Sequence, residues 1–351
     1  MAAKVTSLDV ARLAGVSQSA VSRFFTPGTS VAPKTAAKIK SASERLGYRP
    51  NVLARSLITG RSRLIGLVVS YLENYFYPEA IERLSKALQD ENYHVLVFIA
   101  AMTDDTVESV AQEILDHQVA GIVLMSVMTS SALAARCQAL DVPIVLFNRT
   151  QPDTRLASVT SDNYAGGRML AELLVGLGHG RIAYVAGAVG ASTQDDRERG
   201  FRVGLAEAGR ELWGREVGNF RYDDAQVAAR HLFGRAERPD AVFVCNDHMA
   251  FAVMDVLRFE LGLRVPQDVS VVGFDDVPPA RWPAYDLTTV RQDVDAMVAE
   301  TVTTLLGSIA VPMAAPRRVV LDSALIIRGS TRRHAPPEGG PASPQSQGGS
   351  P

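Results

Sequence analysis

The spacing of apolar residues changes near residue 64. Before it, apolar positions recur at helical intervals in short, well-punctuated stretches. Thr6-Ser7-Leu8-Asp9 reads as a helix start, with Thr6 as N-cap and Asp9 placed to reach back in a capping box. Leu8, Ala11, Leu13 and Ala14 supply the apolar side expected of that helix. Gly15 permits a left-handed turn, Val16 plugs it, and Ser17 caps a second helix reaching about Phe25. Ala20, Val21 and Phe24 suit its inward face, which leaves Gln18, Ser19, Ser22 and Arg23 outward. These four side chains can hydrogen-bond to base edges or phosphates. A third helix is expected from about Pro33 to Leu46, with Pro33 at its first position, Gly47 past its end and no capping side chain at Ala32. After Pro50-Asn51, Leu53, Ala54 and Leu57 form the apolar side of a segment too short to be a stable helix alone.

From Leu64 the pattern becomes apolar runs of strand length alternating with amphipathic stretches, the signature of parallel α/β architecture. Strands are expected at 64–69, 94–100, 121–125 and 143–147, with a helix over 81–91. A second series follows at 181–187, 241–244 and 269–274, with helices near 197–209 and 249–262. Two series in one chain imply two similar subdomains, with a cleft at the carboxyl ends of their strands. The Pro/Gly/Ser-rich segment 335–351 is compositionally disordered.

Charge sharpens this division. The chain's net charge of −2 conceals a net +9 over residues 1–63 and −11 over the rest, so an electrostatic footprint for phosphate lies at one end. No apolar run approaches the roughly 20 residues that span a bilayer. The start, Met1-Ala2-Ala3-Lys4-Val5-Thr6, lacks the apolar stretch of an export signal, and both cysteines, Cys137 and Cys245, sit in apolar surroundings. A cytoplasmic protein is expected.

The cleft offers recognition chemistry and no legible catalysis. Six scattered histidines lack metal-ligand spacing, and neither a Walker loop nor a complete dinucleotide fingerprint is present. No metal, cofactor or catalytic residue is therefore expected. The strand ends instead carry amides, carboxylates and rings: Ser70 through Phe76, Asn148-Arg149, Asn246-Asp247 and Asp275-Asp276. Such groups hold a polyhydroxylated ligand by hydrogen bonding and apolar stacking. Asn246 and Asp275 could equally cap loops, Arg197 could pair with Asp195 or Asp196 in solvent, and Trp282 could stack on a ligand or plug a subdomain interface.

The segments Thr6 through Ala11, Val21-Ser22-Arg23 and Leu46-Gly47-Tyr48-Arg49-Pro50-Asn51 resemble the lac-repressor family of bacterial transcription regulators, and the likeness runs over about residues 5–330. It implies an all-α helix-turn-helix headpiece (1–50), a hinge helix and linker (51–63), and an α/β body like periplasmic binding proteins (64–330) made of two doubly wound parallel-sheet subdomains. The N-subdomain would take about 64–162 plus 292–320 and the C-subdomain 163–291 plus 321–330. By the same likeness Thr6, Ser17, Gln18, Ser19, Ser22 and Arg23, with Asn51, Ala54 and Leu57 of the hinge, contact DNA, and Leu57 wedges into the minor groove at the operator centre. The implied effector contacts are Arg197, Asn246 and Asp275, with Asn148, Phe220, Phe76 and Gln292. The expected protein is a homodimeric repressor of carbohydrate genes on a pseudo-palindromic operator, controlled by a sugar or sugar acid. A transporter's solute-binding protein and a sugar-modifying enzyme are the rivals.

Overall fold

The computed structural model describes residues 5–25, 29–49, 62–100, 110, 112–127, 130–152, 155–312 and 315–332. The chain divides into two compact units, residues 1–63 and 64–351.

The first unit holds helices α1 (Ser7–Ala14), α2 (Gln18–Phe24) and α3 (Pro33–Leu46). The capping box at Thr6 is formed: the Asp9 carboxylate accepts from the Thr6 amide at 2.9 Å, and the Thr6 hydroxyl oxygen accepts from the Asp9 amide at 3.4 Å. Gly15 closes α1 in the left-handed conformation, φ 64°. Val10, Ala11, Ala14, Ala20, Val21, Ile39 and Ala42 make the core. One expectation fails here: Leu8 and Leu13 are exposed. At about 100° per residue they flank the stripe centred on Val10, Ala11 and Ala14, one on each side, so the β-branched and small residues do the packing.

In the second unit the strands are β1 (Leu64–Val69), β2 (His94–Ile99), β3 (Gly121–Met125), β4 (Ile144–Phe147), β5 (Ala157–Ser161), β6 (Ile182–Ala186), β7 (Gly214–Val217), β8 (Ala241–Val244), β9 (Ser270–Asp275), β10 (Thr288–Arg291), β11 (Arg318–Leu321) and β12 (Ala324–Ile326). They form two six-stranded sheets, ordered β11-β5-β4-β3-β1-β2 and β12-β10-β9-β8-β6-β7. Every pairing is parallel except that of β12 with β10. The chain crosses from the first sheet to the second after Ser161, returns after Arg291, and crosses again between Leu321 and Ala324.

The helices that matter for the cleft are α4 (Phe76–Asp90), α5 (Ser131–Ala139), α6 (Asn163–Gly176), α7 (Ser192–Glu207), α8 (Tyr222–Phe233), α9 (Asp247–Asp255) and α10 (Val294–Ala310). Helix α4 begins five residues before the expected start, and the Asn74 side chain just before it accepts the Phe76 amide at 3.1 Å. Helices α7 and α9 also start earlier than their apolar periodicity indicates, at Ser192 and Asp247, and α9 runs on as a π-helical turn over Val256–Glu260. Helices α6 and α7 meet almost backbone to backbone. A Cβ on Gly167 would overlap the Arg197 carbonyl oxygen, and one on Gly200 would overlap the Tyr164 carbonyl oxygen. Only glycine permits that approach.

Candidate functional site

In the headpiece, Thr6, Ser17, Gln18, Ser19, Ser22 and Arg23 are all exposed. Two of them have structural duties: Thr6 holds the capping box, and the Ser17 hydroxyl oxygen accepts the Ala20 amide at 3.2 Å to cap α2. The Gln18 amide donates to Ser7 Oγ at 3.0 Å, so any contact it makes with a base exchanges that bond. Arg23 is the cation at the end of α2. Asn51, Ala54 and Leu57 lie outside the described residues.

The second site sits where the carboxyl ends of the two sheets face each other. A cavity of about 230 Å³ is walled by Tyr71, Asn74, Tyr77, Asn148, Arg149, Thr193, Arg197, Phe220, Asn246 and Asp275. From the second lobe comes a tightly bonded set. Arg197 is 2 % exposed; its Nε donates to Asn163 Oδ1 at 2.8 Å, Nη1 to the Cys245 carbonyl at 2.7 Å, and Nη2 lies 3.4 Å from Asp275 Oδ1. The guanidinium stacks on Phe274, 3.7 Å from the ring centroid. The solvent pairing considered for Arg197 is thus excluded, since the glycine contact between α6 and α7 turns its side chain inward. Asp275 also accepts from Gln292 Nε2 at 2.7 Å. Burial pushes the Asp275 carboxyl up to about 6, against the opposing pull of Arg197, Gln292 and Asn74. Asn246 Oδ1 accepts the Met249 amide at 3.0 Å and caps α9. Behind it Asp247 accepts from Thr289 Oγ1 at 2.6 Å and from the Val277 amide at 3.1 Å, and burial drives its carboxyl up to about 8.

The first lobe contributes less settled groups. Ser70, Ser126 and Asn148 follow the adjacent strands β1, β3 and β4, and all three are buried. Ser70 Oγ, Ser126 Oγ, Asn148 Oδ1 and Arg149 Nε have no hydrogen-bond partner. Asn148 (φ 67°), Phe220 (φ 59°) and Asp275 (φ 125°) hold backbone conformations uncommon for residues other than glycine, a strain that collects at binding sites.

Of the sequence-derived effector residues, Asn148, Arg197, Phe220, Asn246 and Asp275 share this cavity. Phe76 does not: it is 1 % exposed, packed against Tyr77 and Phe147 in the first lobe's core. Gln292 stands behind Asp275, and both residues, together with Phe76, border a neighbouring cavity of about 850 Å³ lined largely by charged groups. Trp282 is half exposed and lines neither cavity. Of the other wall residues, Tyr71, Asn74 and Arg149 fall in the strand-end segments that the sequence singles out without naming them as effector contacts, and Tyr77 and Thr193 lie outside those segments. Arg149, the neighbour of Asn148 at a strand end, is one with a signal that could have found it.

Residues 6–51 match the model of bacterial regulatory proteins of the lacI family, and residues 171–331 match the periplasmic binding protein-like domain. The HTH-type transcriptional regulator CelR of Thermobifida fusca is 34 % identical over 330 residues, covering 92 % of this chain and 96 % of that protein. The chain belongs to the lacI family. As a lacI-family protein it is a sequence-specific DNA-binding transcription regulator with an effector domain. Among solved structures, this lacI-family chain is similar to the CelR–cellobiose complex (32 % identity, TM-score 0.70, covering 93 % of this chain and 100 % of that one). It is also similar to the lac repressor dimer bound to operator and the anti-inducer ONPF (27 % identity, TM-score 0.84, 94 % and 99 % covered). In both, the likeness spans headpiece and body together.

Proposed function

We propose that this regulator is a homodimer that represses carbohydrate genes from a pseudo-palindromic operator, and that a sugar or sugar acid bound in the cleft sets its operator affinity. The observation that carries the ligand half is the cluster of buried, unpartnered polar atoms at the strand ends beside a cavity of about 230 Å³. Buried polar groups are ordinarily satisfied, so this cluster supports a polar occupant. A small polyhydroxylated molecule supplies the missing donors and acceptors and can lay an apolar ring face on Phe220 or Tyr71. A relative solved with cellobiose is consistent with a sugar effector.

For the DNA half, the exposed edge of α2 with Gln18, Ser19, Ser22 and Arg23 faces bases and phosphates, supported by Thr6 and Ser17 at the helix N-termini. Asn51, Ala54 and Leu57 of the 51–63 hinge then engage the minor groove at the operator centre. Ligand and DNA are coupled only so far as the ligand prefers one lobe arrangement over the other. A partner of this kind places the protein in the cytoplasm, and no catalytic role is assigned to any residue.

The test is a binding titration of the full chain on DNA from upstream of its own gene, with and without a panel of sugars. Affinity should fall steeply with salt, on the order of a thousandfold between 50 and 200 mM for about six phosphate contacts. At least one sugar should shift operator affinity by roughly fivefold or more. Binding indifferent to DNA sequence would sink the operator claim, and operator binding untouched by every sugar would sink the ligand claim.

A further inference from the structure

The charged residues of the cavity wall do not balance. They are Arg149, Arg197 and Asp275. Arg197 and Asp275 face each other across 3.4 Å, and Arg197 spends its other nitrogens on Asn163 and Cys245. That pair is internally neutral. Arg149 is 4 % exposed, and its buried Nε has no hydrogen-bond partner among the described residues. The Phe220 ring centroid lies 5.7 Å from its guanidinium carbon. A ring face compensates a buried cation only in part.

The start of a helix adjoins it, its positive end offset in part by Asp195 in the first turn. Helix α7 has sixteen residues and begins beside the same cavity, with Thr193 in the wall, and its N-cap Ala191 offers no side-chain acceptor. The Thr150 amide donates to Ser192 Oγ at 3.0 Å, so the residue following Arg149 touches the first residue of that helix. A helix N-terminus without a side-chain cap favours negative charge, and an arginine fork beside it matches a planar or tetrahedral oxyanion.

Resting on the sugar reading above, we infer that the effector is an anionic monosaccharide, with its carboxylate or phosphate seated on Arg149 and facing the start of α7. Its hydroxyls turn toward Asn148, Asn246 and the Arg197–Asp275 pair. A neutral sugar satisfies the hydrogen-bonding capacity of Arg149 and leaves its charge uncompensated.

Calorimetric titration of the full chain with aldonates, uronates and sugar phosphates, each beside its neutral parent sugar, tests this. The preference for an anion over its parent should be roughly tenfold or more, the scale of one charge-assisted bidentate contact. Carboxylate and phosphate arms identify which group fits. Arg149→Gln should abolish the preference, leaving anion and parent within about threefold of each other, and should raise the ligand-free melting temperature because it removes an unpaired buried cation. A neutral sugar that binds as tightly as its acid overturns the inference and leaves the sugar reading standing. Silence from every sugar, neutral or anionic, overturns both. A ligand-free Arg149→Gln protein that melts lower than the parent, or fails to fold, overturns it too, because Arg149 then has a partner within the protein.

Discussion

The two walls of the cleft are built on opposite terms. On the second lobe the charged groups at the cleft are held by neighbours: Arg197 by Asn163, Cys245 and Asp275, and Asp247 by Thr289 and Val277, while Asn246 caps α9; Gln292 Oε1 and His248 Nε2 are the buried atoms there without a partner among the described residues. On the first lobe Ser70, Ser126, Asn148 and Arg149 keep buried atoms with no partner, in a row along three adjacent strand ends. A satisfied network stiffens what it connects, whereas an unsatisfied one costs free energy until something fills it. The second lobe is therefore a preformed template, and the first holds the unmet demand that a ligand answers. Closure of the first lobe onto a ligand held by the second follows from that division.

Substitutions that treat both walls alike would erase the distinction. The largest effect should come from Arg197→Ala, which strands Asp275 as a buried charge. A loss of about 3–5 kcal/mol in denaturant stability is expected at pH 8, and less at pH 5, where Asp275 takes up a proton instead. A variant as stable as the parent would show that the second wall is not the rigid one.

Next in size is a pH effect. Asp247 and Asp275 hold protons in the folded protein that an unfolded chain, with carboxyls near pH 4, has released. Folded pKa values raised in this way mean stability falls as pH rises, through about 4 to 8 for Asp247 and about 4 to 6 for Asp275. The scale is about 1.4 kcal/mol per tenfold change in proton affinity. Asp247→Asn should flatten that slope in urea melts at pH 5 and 8, and an unchanged slope would remove Asp247 as its source.

Thr289→Val leaves Asp247 Oδ1 without its donor and should cost about 1–3 kcal/mol. Smallest of all, Ser70→Ala on the opposite wall removes a hydroxyl that bonds to nothing. It should be neutral or stabilise by up to about 1 kcal/mol while weakening effector binding. If Ser70→Ala costs as much as Thr289→Val, the contrast between the walls is gone.

The contrast also explains what could be read from the chain. The headpiece was legible because its signals are local: a capping box spans Thr6 to Asp9, and a left-handed Gly15 ends α1. Its misread residues, Leu8 and Leu13, fell to packing that small Val10, Ala11 and Ala14 do better. Strands β1, β3 and β4 announce themselves as apolar runs. Strand β5, Ala-Ser-Val-Thr-Ser, is just as buried and carries no such run, because neighbouring strands rather than composition make it a strand. Arg197, Asn246 and Asp275 were within reach through the family likeness. That Arg197 is paired while Arg149 is not could not be read from sequence, since it depends on which strand ends and helix starts meet in space.

The seam between α6 and α7 bears on how the cleft can move. Gly167 and Gly200 bring main chain against main chain, and Gly204 meets Ala171, so at these points of the seam little side chain is left to slide or reorganise. The second lobe then behaves as a lever arm of low compliance: a push at Arg197 is delivered to the whole lobe instead of being absorbed beside the ligand. Deflection is left to the three crossings near residues 162, 291 and 322, the soft joints of the body. Mutagenesis aimed at retuning the regulator's response, as distinct from its ligand choice, has its natural targets there.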